Sequence, residues 1–216
     1  IFYFPRTWTH MSFVLAEVLE LREWTPPRKG PLTILDLGCG SGAASLAALR
    51  TLRDRGVENP IELQTIDYSG KSLGYFRNLH SGLYQLWPRS KVESKRADLC
   101  GDSPNRRRNK YDLILLGSIL NEIIPEDEPE IYANKLSQIA SLLKPSGFLV
   151  IIEPALKEGC RRLHQAAKSV SEAGQIHLHA PYFNGKGCPL INEESPFHSH
   201  EVRSWKVPPF TKKINE

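Results

Sequence analysis

The sequence predicts an α/β fold on a doubly wound, mostly parallel sheet, and three observations carry that expectation. Short, apolar, largely proline-free runs alternate with helical stripes five times between residues 32 and 173, the pattern of strands joined by covering helices. The first run, LTILDL, passes straight into a glycine turn, Gly38-Cys39-Gly40-Ser41-Gly42. Acids stand at the ends of the first two strand candidates, Asp36 and Asp67, where sheets of this kind bind their ligands.

Taken in order, SFVLAEVLELREW sets Phe13, Val14, Val18, Leu19 and Leu21 on one helical face and stops at the breaker TPPRKGP. LTILDL at 32–37 reads as a buried strand. Leu46, Leu49 and Leu52 then form a helical stripe that ends at Gly56. IELQTID is the second strand and closes on Asp67; GKSLGYFRNLHSGLYQLW is a helix that Pro88 terminates. KVESKRADL is a third, polar strand, and YDLILLGS a fourth, strongly apolar one. PEIYANKLSQIASLL is a helix, GFLVIIEP the fifth strand and KEGCRRLHQAAKSV the last helix. Three regions follow: an N-terminal helical segment at 1–29, the sheet domain at 30–173, and a tail at 174–216. In the tail, QIHLHA and HEVRSWKV are expected to pair as antiparallel strands that complete the sheet.

The composition is that of an ordinary globular protein with no repeat. No apolar run approaches the roughly 20 residues that cross a bilayer, so no membrane association is expected. The first residues lack the pattern of a signal peptide, and the absence of a leading Met suggests a start inside a longer reading frame. Cys39, Cys100, Cys160 and Cys188 are scattered without a CxxC pair, which argues for a reducing compartment, taken as the cytoplasm. The net charge of +4 permits nucleic acid without demanding it.

Gly38, Gly40 and Ala43 satisfy the dinucleotide fingerprint loosely, and Gly38, Gly40 and Gly42 satisfy G-x-G-x-G equally well. Asp36 weighs between the two. A pyrophosphate wants helix N-terminal amides with no carboxylate facing it, whereas an acid there suits a ligand that carries an ammonium. S-adenosylmethionine has an ammonium, a sulfonium and no phosphate. Asp36 could instead cap the turn. Asp67 can bind both ribose hydroxyls of either cofactor, and Asp98, in RADL, could accept from an adenine amine or be an ordinary loop acid.

With these residues in view, ILDLGCGSG, Asp67, ADL and YDLILLGSILNEI resemble the class I S-adenosylmethionine-dependent methyltransferases over residues 32–155. The resemblance implies a Rossmann-like, seven-stranded sheet. It also implies cofactor contacts at Asp36, Gly38, Cys39, Gly40, Gly42, Asp67, Tyr68, Asp98, Leu99 and Ser118. No motif specific to an acceptor follows the fourth strand: an Asn/Asp-Pro-Pro-aromatic run is absent, and no cysteine stands there as a nucleophile. Asn121 and Glu122 are the polar residues best placed to touch an acceptor, or else they belong to a capped loop before Pro129.

The tail and the N-terminal PRTWTHMSFVLAEVLEL are similar to the Rsm22-like family, methyltransferase-fold proteins tied to the small ribosomal subunit. The tail segments concerned are FLVIIEPALKEGCRRLHQAA, HAPYFNGKGCPL, SPFHSH and SWKVPP. That resemblance implies ribosomal RNA methylation, or a role beside it. The family pattern also carries cysteines linked to an iron–sulfur cluster. Here Tyr182 and Phe197 stand at two of those places and only Cys188 is kept, too few for a cluster that takes about four thiolates. No metal is therefore expected, although His177, His179, Cys188, His198 and His200 could be weighed as zinc ligands.

Lys95, Arg96, Arg106, Arg107, Arg108 and Lys110 flank the connection from the third strand to the fourth and suit a phosphate backbone. Arg161 and Arg162 add to the positive side. Three other readings stay open: a small-molecule or protein methyltransferase, a non-catalytic assembly factor, and an NAD-linked oxidoreductase that Asp36 disfavours.

Overall fold

A computed structural model describes residues 3–100, 110–124, 129–182, 187–191, 196–206 and 208–209 of the 216. The elements, in chain order, are α1 (Tyr3–Glu20), β1 (Leu32–Leu37), α2 (Ala43–Asp54), β2 (Ile61–Asp67), α3 (Gly70–Gly82), β3 (Ser90–Arg96), β4 (Tyr111–Gly117), α4 (Leu120–Ile123), α5 (Pro129–Ala140), β5 (Leu143–Ile152) and α6 (Lys157–Glu172). The strands lie in the order β3-β2-β1-β4-β5, every neighbouring pair parallel. The order reverses between β1 and β4, so the crevice beyond their carboxyl ends is where a ligand belongs.

Both faces of the sheet are covered, which is why its central strands read as continuous apolar runs. Leu32 and Ile34 of β1 and Leu113 and Leu115 of β4 join one core with Met11, Leu15, Leu46, Leu49 and Phe76 of α1, α2 and α3. Leu35 and Leu37, with Ile114 and Leu116, join the opposite core with Tyr132, Leu136 and Ile139 of α5 and Ala166 and Val170 of α6. The period of two along each strand thus divides a single run between two helical layers.

The structure corrects the N-terminal helix. It begins at Tyr3, and its buried stripe is Met11, Leu15 and Val18, with Phe4 and Trp8 packed against the same core. Phe13 is half-buried and Leu21 is 53 % exposed. Leu21 falls beyond the end of the helix, so its place in the periodic pattern has no helical face to belong to. The third helix stops at Gly82, and Tyr84–Leu86 form a single 3₁₀ turn before Pro88.

Among the described residues the sheet has five strands. The tail stretches 175–182 and 196–206 form no strand, so the expected antiparallel pairing is not seen there. The tail is held through side chains instead. His179 Nδ1 lies 2.8 Å from Glu23 Oε2 and its ring packs on Phe148, while Arg203 meets Glu17 at 2.7 Å. No helix among the described residues is long and apolar enough to cross a membrane.

Candidate functional site

The turn after β1 is built from three left-handed glycines with different surroundings: Gly38 (φ 70°), Gly40 (φ 53°) and Gly42 (φ 89°). The Gly38 and Cys39 amides both donate to the Ile66 carbonyl, at 2.8 and 3.2 Å, and Gly42 N–H closes the turn on Cys39 O at 2.8 Å. A Cβ on Gly38 would stand 2.2 Å from Ile119 Cγ1, and one on Gly42 would stand 2.0 Å from Phe76 Cδ2. At Gly40 that position meets no other described atom within 4 Å, so the backbone there faces open space.

Asp67 ties this turn to the start of α3. Its Oδ2 accepts the Gly40 N–H and its Oδ1 the Ser69 N–H, both at 2.8 Å. Ser69 caps α3 through its own hydroxyl, which accepts Ser72 N–H at 3.2 Å. Each carboxylate oxygen has accepted one hydrogen bond in these contacts, which leaves each a lone pair for a hydroxyl donor.

The turn, the ends of β2 and β3, and α4 enclose a cleft of about 630 Å³. Gly38, Asp67, Tyr68, Asp98 and Leu99 from the sequence-predicted set line it together. Arg96, Ile119, Glu122 and Ile123 complete its walls. The Asp98 carboxylate accepts Cys100 N–H at 2.9 Å, which holds the β3 end folded towards the cleft.

Other predicted residues lie elsewhere. Cys39 is buried beside the turn, and burial pushes its thiol well above the usual range. Gly42 is the residue that opens α2, packed on Phe76. Ser118, at φ 62°, gives its N–H to Ile152 O at 2.7 Å and borders a second groove of about 1720 Å³ between α1, β5 and the tail.

Asp36 shares a face with Leu32 and Ile34, so its carboxyl points into the α2 layer and is fully buried. Ser45 Oγ donates to Oδ2 at 2.5 Å, while Oδ1 has no partner among the described residues. Burial raises its pKa to about 7 from an ordinary 3.8; the Ser45 hydrogen bonds work against that rise and the Asp67 charge adds to it. Between those values the fold keeps a proton that the unfolded chain has lost, so this group's contribution to stability falls as pH rises from about 4 to about 7. Asp36→Asn is therefore expected to raise the melting temperature by several degrees at pH 8 and to change it little at pH 5. Thermal melts at the two pH values check this, and an equal shift at both would refute the assignment.

Asn121 and Glu122 part company. Glu122 lines the cleft, whereas Asn121 turns to the end of β5, donating from Nδ2 to Glu153 Oε2 at 2.7 Å and accepting from Arg162 Nη2 at 3.2 Å. Glu153 is the residue that the sequence reading missed. Its Oε1 accepts the Ile119 and Leu120 amides at 2.9 and 2.8 Å, fixing the short helix whose Ile119 and Ile123 wall the cleft. Its signal was present, since an acid in IIEP ends a strand just as Asp36 and Asp67 do.

Of the basic residues, Lys95 and Arg96 end β3 at the cleft side, and Arg96 Nε donates to Tyr68 O at 2.9 Å. Lys110 precedes β4 and is bonded to Ser141 O. Because β3 and β4 both run parallel to the strands between them, the end of one and the start of the other lie at opposite ends of the strands, the carboxyl and the amino ends. Lys110 therefore does not join the cleft-side group. Arg106, Arg107 and Arg108 lie outside the described residues.

In the tail, His177 meets His179 edge-on at 5.0 Å and His198 stacks on His200 at 4.6 Å. The Cys188 thiol donates to Tyr182 Oη at 3.1 Å and accepts Leu190 N–H at 3.3 Å. Among the described residues no group of three or more His, Cys, Asp or Glu could hold a metal ion. The donors present do not fit an iron–sulfur cluster, because one thiol already engaged by a tyrosine offers no set of thiolates.

Residues 1–206 match the family described as "Mitochondrial small ribosomal subunit Rsm22". No curated protein matches the chain. The chain also resembles solved structures, each at low identity, and three of them are as follows. One is an S-adenosylmethionine-dependent methyltransferase from Clostridium acetobutylicum ATCC 824, with 18% identity over 67% of this chain and 48% of that one, TM-score 0.45. The second is the DszA carbon methyltransferase, with 20% identity, 78% and 39% coverage, TM-score 0.49. The third is PKMT2 from Rickettsia typhi in complex with AdoHcy, with 16% identity, 82% and 30% coverage, TM-score 0.48. The chain spans less than half the length of each of these structures. The family match takes in the glycine turn, the cleft and most of the tail, and by it the chain belongs to the Rsm22 family.

Proposed function

We propose that the cleft binds S-adenosylmethionine and that the protein is a methyltransferase acting on, or alongside, the RNA of the small ribosomal subunit. The observation that carries this reading is the convergence of Gly38, Asp67, Tyr68, Asp98 and Leu99 on one cleft at the sheet's switch point. Asp67 has a free lone pair on each oxygen for the two ribose hydroxyls. The open backbone at Gly40 lets a ligand approach closely, and Asp98 is placed for an exocyclic amine. Asp36 is fully buried against α2 and does not line the cleft, and its Oδ1, without a partner among the described residues, would meet the cofactor's ammonium only through a water.

When bound, the cofactor supplies an activated methyl group. The chain's own task is then alignment of donor and acceptor, with Ile119 and Ile123 excluding water on one side and Glu122 facing the opening. The ribosomal partner rests on the family description, and the exposed Arg96 at the cleft wall, with Lys95 beside it at the end of β3, offers cations that suit RNA. The sequence-based expectation of the cytoplasm and the mitochondrion of the family description share a reducing interior and small ribosomal subunits. The four free cysteines agree with either compartment.

Calorimetric titration with S-adenosylhomocysteine, with NAD run in parallel, tests the reading. Micromolar affinity for the former and none for the latter is expected; the reverse preference would sink it. Tight cofactor binding without transfer of a labelled methyl group to small-subunit particles would leave the assembly-factor reading in its place.

A further inference from the structure

The solvent side of α3 carries rings and cations that continue outward from Tyr68 and Arg96 of the cleft wall. Its buried side is Leu73, Phe76 and His80. Helical spacing therefore sets Lys71, Tyr75 and Asn78 on the opposite side, with Leu79 next to them. Tyr75 is 55 % exposed. Tyr68, just before the helix, is 67 % exposed and Tyr84, just after it, 45 %. One large ring on the 13-residue helix, which is about 20 Å long, and one just beyond each of its ends thus stand partly in water, the Tyr84 ring meeting His80 edge-on.

The charge along the same stretch has one sign. Residues 68–96 carry Lys71, Arg77, Arg89, Lys91, Lys95 and Arg96, all exposed, against Glu93 alone. The rest of the chain, 22 basic against 23 acidic residues, is close to neutral. One ring and one cation lie together, with Lys71 Nζ 6.0 Å from the Tyr75 ring centre. Main-chain groups tie the other two tyrosines to basic residues: the Arg89 backbone amide donates to Tyr84 Oη at 3.1 Å, and Arg96 Nε donates to the Tyr68 backbone carbonyl at the cleft mouth.

We infer that this face is a platform for single-stranded RNA: cations pair with phosphates, and unpaired bases stack on Tyr75 and Tyr84 as the strand runs towards Tyr68 and Arg96 at the cleft. A duplex keeps its bases stacked on one another and offers only phosphates to such a surface. An acidic peptide or an anionic membrane would meet the same cations without needing flat rings. The binding itself is independent of what fills the cleft; only the destination of the strand rests on the proposed function.

The test is fluorescence anisotropy of the whole chain with a labelled oligouridine of about twelve nucleotides, beside a hairpin duplex of equal length. The single strand is expected to bind tighter. Tyr75→Ala should weaken it about five- to tenfold with little effect on the duplex, and Tyr75→Phe, which keeps the ring, should restore it. Lys71→Ala with Arg77→Ala should weaken both ligands and flatten the salt dependence. Equal affinity for duplex and single strand, wild-type affinity in Tyr75→Ala and Tyr84→Ala, or displacement by anionic vesicles in preference to RNA would overturn the inference. Tyr75 and Lys71 lie outside the cleft, so S-adenosylhomocysteine titration of the same variants should be unchanged. A chain that binds the oligonucleotide but not S-adenosylhomocysteine fails the cofactor reading alone, and the converse fails this one alone.

Discussion

Asp67→Ala is expected to lower affinity for S-adenosylhomocysteine by a hundredfold or more, on the order of 3 kcal/mol. Two losses combine. The ligand loses both acceptors for its ribose hydroxyls, and the Gly40 and Ser69 amides lose the carboxylate that holds them, each at 2.8 Å. Hydrogen bonds to a charged acceptor are each worth about 1.5–3 kcal/mol, so the free protein should also melt several degrees lower. Asp67→Asn separates the two effects. It keeps one oxygen for a backbone amide and should recover part of the melting temperature while affinity stays poor, because its amide group cannot accept a second hydroxyl. Calorimetry and thermal melts on the pair of variants decide it. Micromolar binding by Asp67→Ala would place the nucleoside somewhere other than this cleft.

The second large effect separates two glycines that look alike in sequence. Gly42→Ala is expected to destabilise the fold by about 3 kcal/mol or more. The new Cβ would stand 2.0 Å from Phe76 Cδ2, on a ring with no solvent exposure and no room to retreat, at a φ of 89° that L-residues resist. Against a total stability of about 5–15 kcal/mol, that loss is severe. Gly40→Ala meets no described atom within 4 Å and bears only the strain of its positive φ, about 1 kcal/mol. Its amide donates to Asp67 Oδ2 beside the cleft, so a local shift of the backbone should appear in cofactor affinity more than in the melting temperature. Denaturant melts with parallel titrations test the contrast. Similar stability losses in both variants would show that the turn tolerates no side chain for reasons of backbone alone.

Much of this architecture was legible in the chain. β1 and β2 fall at 32–37 and 61–67, the bounds that their sequences suggest: β1, covered on both faces, is largely apolar, while β2 alternates apolar residues with Glu62 and Gln64. That Asp67 would line the cleft was readable from its position at a strand end. Other assignments depended on partners distant in sequence. Asn121 was a plausible acceptor contact until Glu153, 32 residues on, turned it away from the cleft. Lys110 is close to Arg96 in sequence, yet lies at the amino ends of the strands, away from the cleft, because the connection between two parallel strands must run back along their length.

By itself, then, the sequence determined the periods, the breaks and the chemical inventory: five strands, their alternating helices, a glycine turn, and acids at strand ends. Those features arise within a few residues, where backbone geometry and side-chain spacing act directly. The tertiary structure decided which glycine packs on Phe76 or Ile119 and which lies open. It also decided that Asp36 is buried against Ser45 with one oxygen unpartnered, and that Glu153 holds the wall of the cleft. Each of those outcomes depends on which side chain the sheet brings opposite, and a local pattern cannot specify a neighbour that only the packing of two helical layers supplies.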